Sequence, residues 1–195
     1  MAGIKRRKEQ KREDIRRAAF ELFKTYGFKK VSINEVAQHA GVSQVTVYNH
    51  FGSKEELIRD VMKWFTSDLV DKYIAIIKSE LPYLEKLEAI VMDKTEVISQ
   101  FQGELVQEVM RTDPQLQVHI DGLYNNKIKP NVISFFDEGT KLGYIHKKYS
   151  ADTIMFYFEV VRRGLNSIPD ISERMAKEPD TAKEIIDLMT YGLNG

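Results

Sequence analysis

The sequence predicts an all-α protein: an N-terminal three-helix helix-turn-helix head, joined by a long helix to a helical body, about nine helices in all. Three observations predict it. Apolar residues recur at spacings of three and four in nearly every segment, the period of an amphipathic helix. No stretch alternates polar and apolar as a half-buried strand does. Helix-capping serines and helix-stopping glycines punctuate the first 60 residues at short intervals. The chain of 195 residues, 43% hydrophobic, is long enough for two small domains. The boundaries expected are 1–52 for the head with a basic arm, and 53–195 for the linking helix and body.

The first helix is expected over about residues 9–26, where Ile15, Ala18, Ala19, Leu22, Phe23 and Tyr26 form one stripe before Gly27. Ser32 opens the second, and Glu35 three residues on completes a capping box. Val36, Ala37 and Ala40 line its inner side, and Gly41 ends it. Ser43 caps a short third helix whose Val47 and Phe51 face inward. After Gly52, Ser53 and Glu56 read as another capping box. They open a helix running to about residue 79, with Leu57, Val61, Phe65, Leu69 and Tyr73 at successive turns. Body helices are expected near 82–101, 103–111, 114–141, 151–167 and 180–192. Pro82 and Pro114 suit first-turn positions. Pro130 should kink or divide the helix that contains it.

Composition excludes several function classes. The chain has no cysteine, so it holds no disulfide framework and no thiolate metal site. No apolar run approaches the ~18 residues of a membrane span, and the basic start lacks the apolar core of a secretory signal. A cytoplasmic location is expected. His119 and His146 have no evident third ligand, so no metal is expected, and no cofactor. No segment combines a nucleophile, a base and an orienting group, and no glycine-rich phosphate loop occurs, so an enzyme is not expected. The net charge of zero hides an asymmetry. Residues 1–65 carry 14 Lys+Arg against 8 Asp+Glu, and residues 66–195 carry 15 against 21. A basic head on an acidic body points to a polyanionic partner; a charged tail kept for solubility is the alternative.

Residues 31–57 carry the chemistry. Two helices of about eight residues, too short to be stable alone, are separated by the tight turn Ala40–Gly41–Val42–Ser43. This is a helix-turn-helix arrangement, whose second helix fits the major groove of double-stranded DNA. Its outer side offers Gln44, Val45, Thr46, Tyr48 and Asn49, with His50 and Lys54 on the rim. A glutamine can pair bidentately with adenine, and valine can pack on a thymine methyl. Threonine, tyrosine and lysine suit phosphate or sugar. The alternative is that Tyr48 packs on a neighbour and His50 is an ordinary packing histidine. The tail residues Lys5, Arg6, Arg7, Lys8, Lys11 and Arg12 would neutralise phosphates, enter a minor groove, or remain solvated. Arg16 and Arg17 are candidates for touching the DNA backbone.

At these residues the sequence resembles the TetR family of one-component bacterial regulators. The resemblance runs from Ile15–Ala18–Ala19–Leu22–Phe23 and Gly27–Phe28 through Ser32, Val36–Ala37 and Ala40–Gly41–Val42–Ser43. It continues through Thr46–Val47–Tyr48–Asn49–His50–Phe51 to Ser53–Lys54–Glu55–Glu56–Leu57. About 45 ordered residues carry it. It implies backbone contacts at Thr46, Tyr48, His50 and Lys54, and operator-dependent contacts at Gln44 and Val45. With Ser32, Ser43 and Asn49, these form the expected DNA-binding set. Val45 stands where many members have glycine, so operator preference does not transfer.

The resemblance also implies a homodimer and a body cavity for a small apolar or amphipathic effector that releases operator DNA. Candidate lining residues are Trp64, Phe65, Phe101, Met110, Leu123, Tyr124, Phe135, Phe136, Met155 and Phe158. Candidate dimer stripes are Ile154, Phe158, Val161 and Leu165, and then Ile185, Leu188 and Met189. Both stripes read equally as the monomer's own core. The function expected is thus a ligand-responsive repressor. A constitutive DNA-binding regulator is the runner-up, and a protein-binding helical adaptor a more distant one.

Overall fold

The computed structural model describes residues 2–90, 109, 112–166 and scattered positions from 168 to 188. Among these, every regular element is helical and no strand occurs. Seven α-helices are seen: α1 (Ala2–Tyr26), α2 (Ile33–His39), α3 (Gln44–Phe51), α4 (Lys54–Ile77), α5 (Pro114–Leu123), α6 (Lys129–Lys141) and α7 (Ala151–Asn166). Residues 83–90 are also helical. The expected helix over 103–111 and much of that over 180–192 fall outside the described residues, and so does part of the count of about nine.

α1 begins at Ala2, a full two turns before the expected residue 9. The added turns hold no apolar stripe, which is why periodicity missed them. They comprise Ala2, Gly3, Ile4, Lys5, Arg6, Arg7 and Lys8, and all of these but Gly3 and Ile4 are good helix formers. Same-face pairs reinforce the helix: Gln10 Nε2 donates to Asp14 (3.0 Å), and Arg16 and Arg17 both reach Glu13 (2.6 and 3.0 Å).

Two compact units divide the chain. The first comprises Met1–Leu69 with Gln100–Asp121. Its core gathers Ile15, Ala19 and Phe23 of α1, Val36 and Ala37 of α2, Val47 and Phe51 of α3, Leu57, Val61 and Met62 of α4, and Leu116 of α5. Each large side chain buried here stabilises the unit by roughly 1.5–3 kcal/mol, which is how two short helices persist. Arg59 pairs with Asp113 (2.7 Å) and also binds Glu56. Asp113 in turn accepts from the Leu116 N–H (2.9 Å) at the start of α5.

The expected capping box at Ser53 is half-formed. Ser53 Oγ accepts from the Glu56 N–H (3.1 Å), but the Glu56 carboxylate turns to Arg59. A fixed guanidinium outcompetes a lone backbone N–H for that carboxylate. Glu55 instead hydrogen-bonds its own backbone N–H and, secondarily, the Ser53 side chain, and these bonds lower its pKa.

The second unit comprises Val70–Ser99 with Gly122–Gly195. Between α5 and α6, residues Tyr124–Ile128 form a π-helical turn. There the Lys129 N–H reaches back to Tyr124 O, one residue further than in an α-helix. Pro130 lies in the first turn of α6, where its missing N–H is tolerated. The proline thus divides the expected 114–141 helix through a widened turn. The core here stacks Tyr83 on Phe135 and Tyr144 (centroids 4.5 and 5.1 Å), with Leu87, Phe136, Ile145 and Ile154 around them. Burial, and then the nearby Glu138 charge, push the Tyr83 hydroxyl pKa up. Lys86, only 5% exposed, is matched by both Glu138 oxygens at 2.9 and 3.2 Å.

A glycine makes that stack possible. A Cβ on Gly139 would lie 2.3 Å from the Tyr83 hydroxyl oxygen. Gly139→Ala is therefore expected to destabilise the second unit by about 1–3 kcal/mol through overpacking. Gly122→Ala, where an added Cβ meets nothing within 4 Å, should be neutral or stabilising. Thermal melting of the two variants checks the contrast, and equal melting temperatures would refute it.

Candidate nucleic-acid interface

The interface is built from its caps upward. Ser32 and Glu35 form the expected capping box: the Ser32 N–H donates to Glu35 (2.7 Å), and the Glu35 N–H to Ser32 Oγ (3.2 Å). Hydrogen bonds from the Ser32 side chain and backbone lower the Glu35 pKa. At α3, Ser43 Oγ accepts from the Thr46 N–H (3.1 Å) and lies 2.9 Å from the Thr46 hydroxyl. Ser32 and Ser43 thus use their hydroxyls to start the helices of the motif. The turn between α2 and α3 needs φ +64° at Gly41, a left-handed conformation that side-chain-bearing residues rarely adopt.

α3 separates its two sides sharply. Val47 and Phe51 are 1% and 7% exposed, whereas Val45 and Tyr48 are 66% and 48% exposed. Gln44 and Asn49 are exposed as well, and Thr46 and His50 are half-buried at the edge. The structure therefore presents Gln44, Val45, Tyr48 and Asn49 together on one outward side. Lys54 stands at the start of α4, its Nζ 3.5 Å from Lys29 O.

The basic residues of α1 sort into two classes. Arg12 and Arg16 are structural. Both bind Asp60 of α4, at 2.5 and 2.7 Å, and Arg12 also donates to His50 O (3.3 Å) and lies over the Phe51 ring (4.8 Å). Burial pushes the Asp60 carboxyl up, but hydrogen bonds and charge from Arg16 and Arg12 outweigh it and hold its pKa low. Arg16 is thus engaged by Asp60 and Glu13, and Arg17, though largely exposed, is paired with Glu13.

Arg7, Lys8 and Lys11 behave differently. With Thr46, Asn49 and His50 they line an open groove of about 300 Å³. A signal for this existed in the sequence. Lys8, Lys11 and Arg12 continue backward, at helical spacing, the stripe that holds Ile15 and Ala19. Once α1 is helical to its beginning, those residues must face α3.

The other expected sites are placed as follows. Trp64 and Phe65 are half-buried in the first unit, against Phe20 (5.4 and 5.3 Å). In the second unit Phe135 and Phe136 are core, Met155 packs on that core, Leu123 is half-buried and Tyr124 is 42% exposed. Phe101, Met110 and Met189, and the side chains of Phe158 and Leu165, lie outside the described residues. Ile154 is 2% exposed within the core of its own unit, Val161 and Ile185 are half-buried, and Leu188 is 71% exposed. Among the described side chains of α7, Phe156 (71%), Tyr157 (36%) and Val160 (51%) are exposed apolar ones.

Comparison with known proteins agrees with this geometry. Residues 15–61 match the family described as bacterial regulatory proteins, tetR family. The transcriptional repressor KstR2 of Rhodococcus jostii is 32% identical over 91 residues, which is 47% of this chain and 45% of that protein. The chain thus aligns with less than half the length of this relative. Among solved structures, a putative TetR-family regulator from Mesorhizobium loti superposes with TM-score 0.65 at 20% identity, covering 92% of this chain and 96% of that one. FadR of Bacillus subtilis, in complex with stearoyl-CoA, superposes with TM-score 0.64 at 16% identity, covering 92% and 98%. Residues 15–61, the helix-turn-helix region, are thus matched in sequence to the tetR family of bacterial regulatory proteins, and the whole chain is matched in fold by a solved structure.

Proposed function

We propose that the protein is a sequence-specific DNA-binding transcriptional regulator, a repressor released from its operator by a small-molecule effector. One observation carries the reading. α3 is locked by Val47 and Phe51 while it exposes Gln44, Val45, Tyr48 and Asn49, beside a groove lined by basic side chains. A rigid helix with base-reading side chains outward and cations at its edge is what a major groove accepts. In this reading Gln44 and Val45 address base edges, while Thr46, Tyr48, Asn49, His50 and Lys54 address sugar and phosphate.

One short helix reads few base pairs, so two copies are needed for an operator of useful length. The exposed Phe156, Tyr157 and Val160 of α7 are the surface we assign to homodimer contact. For the effector we propose an apolar or amphipathic small molecule held in the body. Support comes from the abundance of aromatic residues there and from the stearoyl-CoA bound by a protein of the same fold. None of the helices described is long and apolar enough to cross a membrane, and we place the protein in the cytoplasm.

The test is selection of bound duplexes from a random pool by the purified full chain, followed by affinity measurement on the recovered sequence. Tyr48→Ala and Lys54→Ala should each weaken binding about tenfold while stability changes by less than about 0.5 kcal/mol. Undiminished affinity in the double variant would sink the assigned face.

A further inference from the structure

The groove between α1 and α3 asks for an occupant. Three cationic side chains of α1 and three polar ones of α3 converge on about 300 Å³ of open space. Among the described residues no ion pair is seen for Arg7, Lys8 or Lys11, whereas the arginines further along α1 have carboxylates: Arg12 and Arg16 take Asp60, and Arg17 takes Glu13. Asp60 is thereby fully engaged, and the positive charge left over lies on the groove side. The lysines are exposed, so they cost the fold little and are free to meet a ligand. The Thr46, Asn49 and His50 side chains supply hydrogen-bond donors on the opposite wall. A phosphodiester is small, anionic and rich in acceptors, and matches both walls.

Resting on the DNA-binding reading above, we propose that this groove seats a backbone phosphate of the operator. Lys8 and Lys11 of the amino-terminal turns of α1 grip it from one wall, and a protonated His50 faces it from the other. The amino-terminal turns of α1 are then a rigid clamp rather than a trailing arm. His50 is the element that makes the contact pH-dependent. In the DNA-free protein, desolvation first, and then the charges of Lys8, Arg12 and Lys11, lower its pKa; Glu9 opposes them weakly. Arg7 also lines the groove, and Asp60 on α4 is balanced by Arg12 and Arg16. A phosphate between His50 and the lysines cancels their repulsion and favours the imidazolium. The sign follows: the pKa is higher in the complex than in the free protein. The extra affinity is complete below the free-protein pKa and is lost as pH rises through that of the complex.

The experiment uses the full chain and a duplex recovered by selection, with binding followed by fluorescence anisotropy across salt and pH. Lys8→Gln with Lys11→Gln should weaken binding at least about tenfold and reduce the slope of log affinity against log salt by ~1–2 per protomer. Circular dichroism should show the fold unchanged. Wild-type affinity should rise several-fold from pH 8 to pH 6, and His50→Gln should flatten that rise. An unchanged salt slope in the lysine variant overturns the groove as a phosphate seat. A pH-independent wild type, or a pH response that survives His50→Gln, overturns the protonated His50. If selection recovers no duplex at all, the DNA-binding reading itself fails, an outcome distinct from both.

Discussion

Val47→Asp is expected to unfold the head, and Val45→Asp, two residues earlier in the same helix, to leave it folded but unable to hold DNA. Val47 is 1% exposed and packs among Ile15, Val36, Leu57 and their neighbours in the core of the first unit. A carboxylate there has neither water nor a cation, and the cost of at least 4 kcal/mol approaches the whole stability of a small domain. Val45 is 66% exposed, so a carboxylate remains hydrated and stability should change by no more than about 0.5 kcal/mol. On the proposed reading face, however, that same charge meets the phosphate backbone, and affinity should fall at least a hundredfold. Circular dichroism and anisotropy on both variants check the pair. A folded Val47→Asp protein would contradict the packing, and a DNA-competent Val45→Asp protein would contradict the orientation of α3.

Phe156→Glu combined with Val160→Glu is expected to yield a folded monomer. Both side chains lie exposed on α7, while Ile154, two residues before Phe156, is 2% exposed in the core of its own unit. If the exposed side of this helix is the dimer face, its two sides separate folding from assembly. Removing Phe156 and Val160 should leave thermal stability of the isolated chain nearly intact, whereas Ile154→Ala should cost about 2–4 kcal/mol through a cavity. If α7 is the dimer face, four introduced charges face one another across the two-fold axis. Sedimentation should then report a monomer at micromolar concentration, and operator affinity should drop at least a hundredfold because only one half-site is held at a time. A variant that remains dimeric would move the interface elsewhere.

Much of the head was legible in the sequence because its signals are local. A capping serine with glutamate three residues on, a glycine at a left-handed turn and apolar residues at helical spacing act within one or two turns. Ser32–Glu35, Gly41, Ser43, Val47 and Phe51 accordingly sit as local chemistry requires. The outward side of α3 followed from the same periodicity. Where local rules had competitors, the reading slipped. Glu56 had the spacing of a capping residue, but Arg59, one turn on, was the stronger partner.

Only the tertiary structure decided the rest. Arg12 and Arg16 looked like spare cations until Asp60, more than 40 residues away, was placed beside them. Arg7, Lys8 and Lys11 looked like a charged tail until α1 proved helical to its beginning and set them against Thr46, Asn49 and His50. Ile154 fitted a dimer stripe and a core stripe equally well, and the packing placed it in the core with Phe156 and Val160 outside. The physical reason is common to all three. Helical period fixes which residues share a side of a helix, but what that side meets depends on long-range packing, and a single helix holds no record of its neighbours.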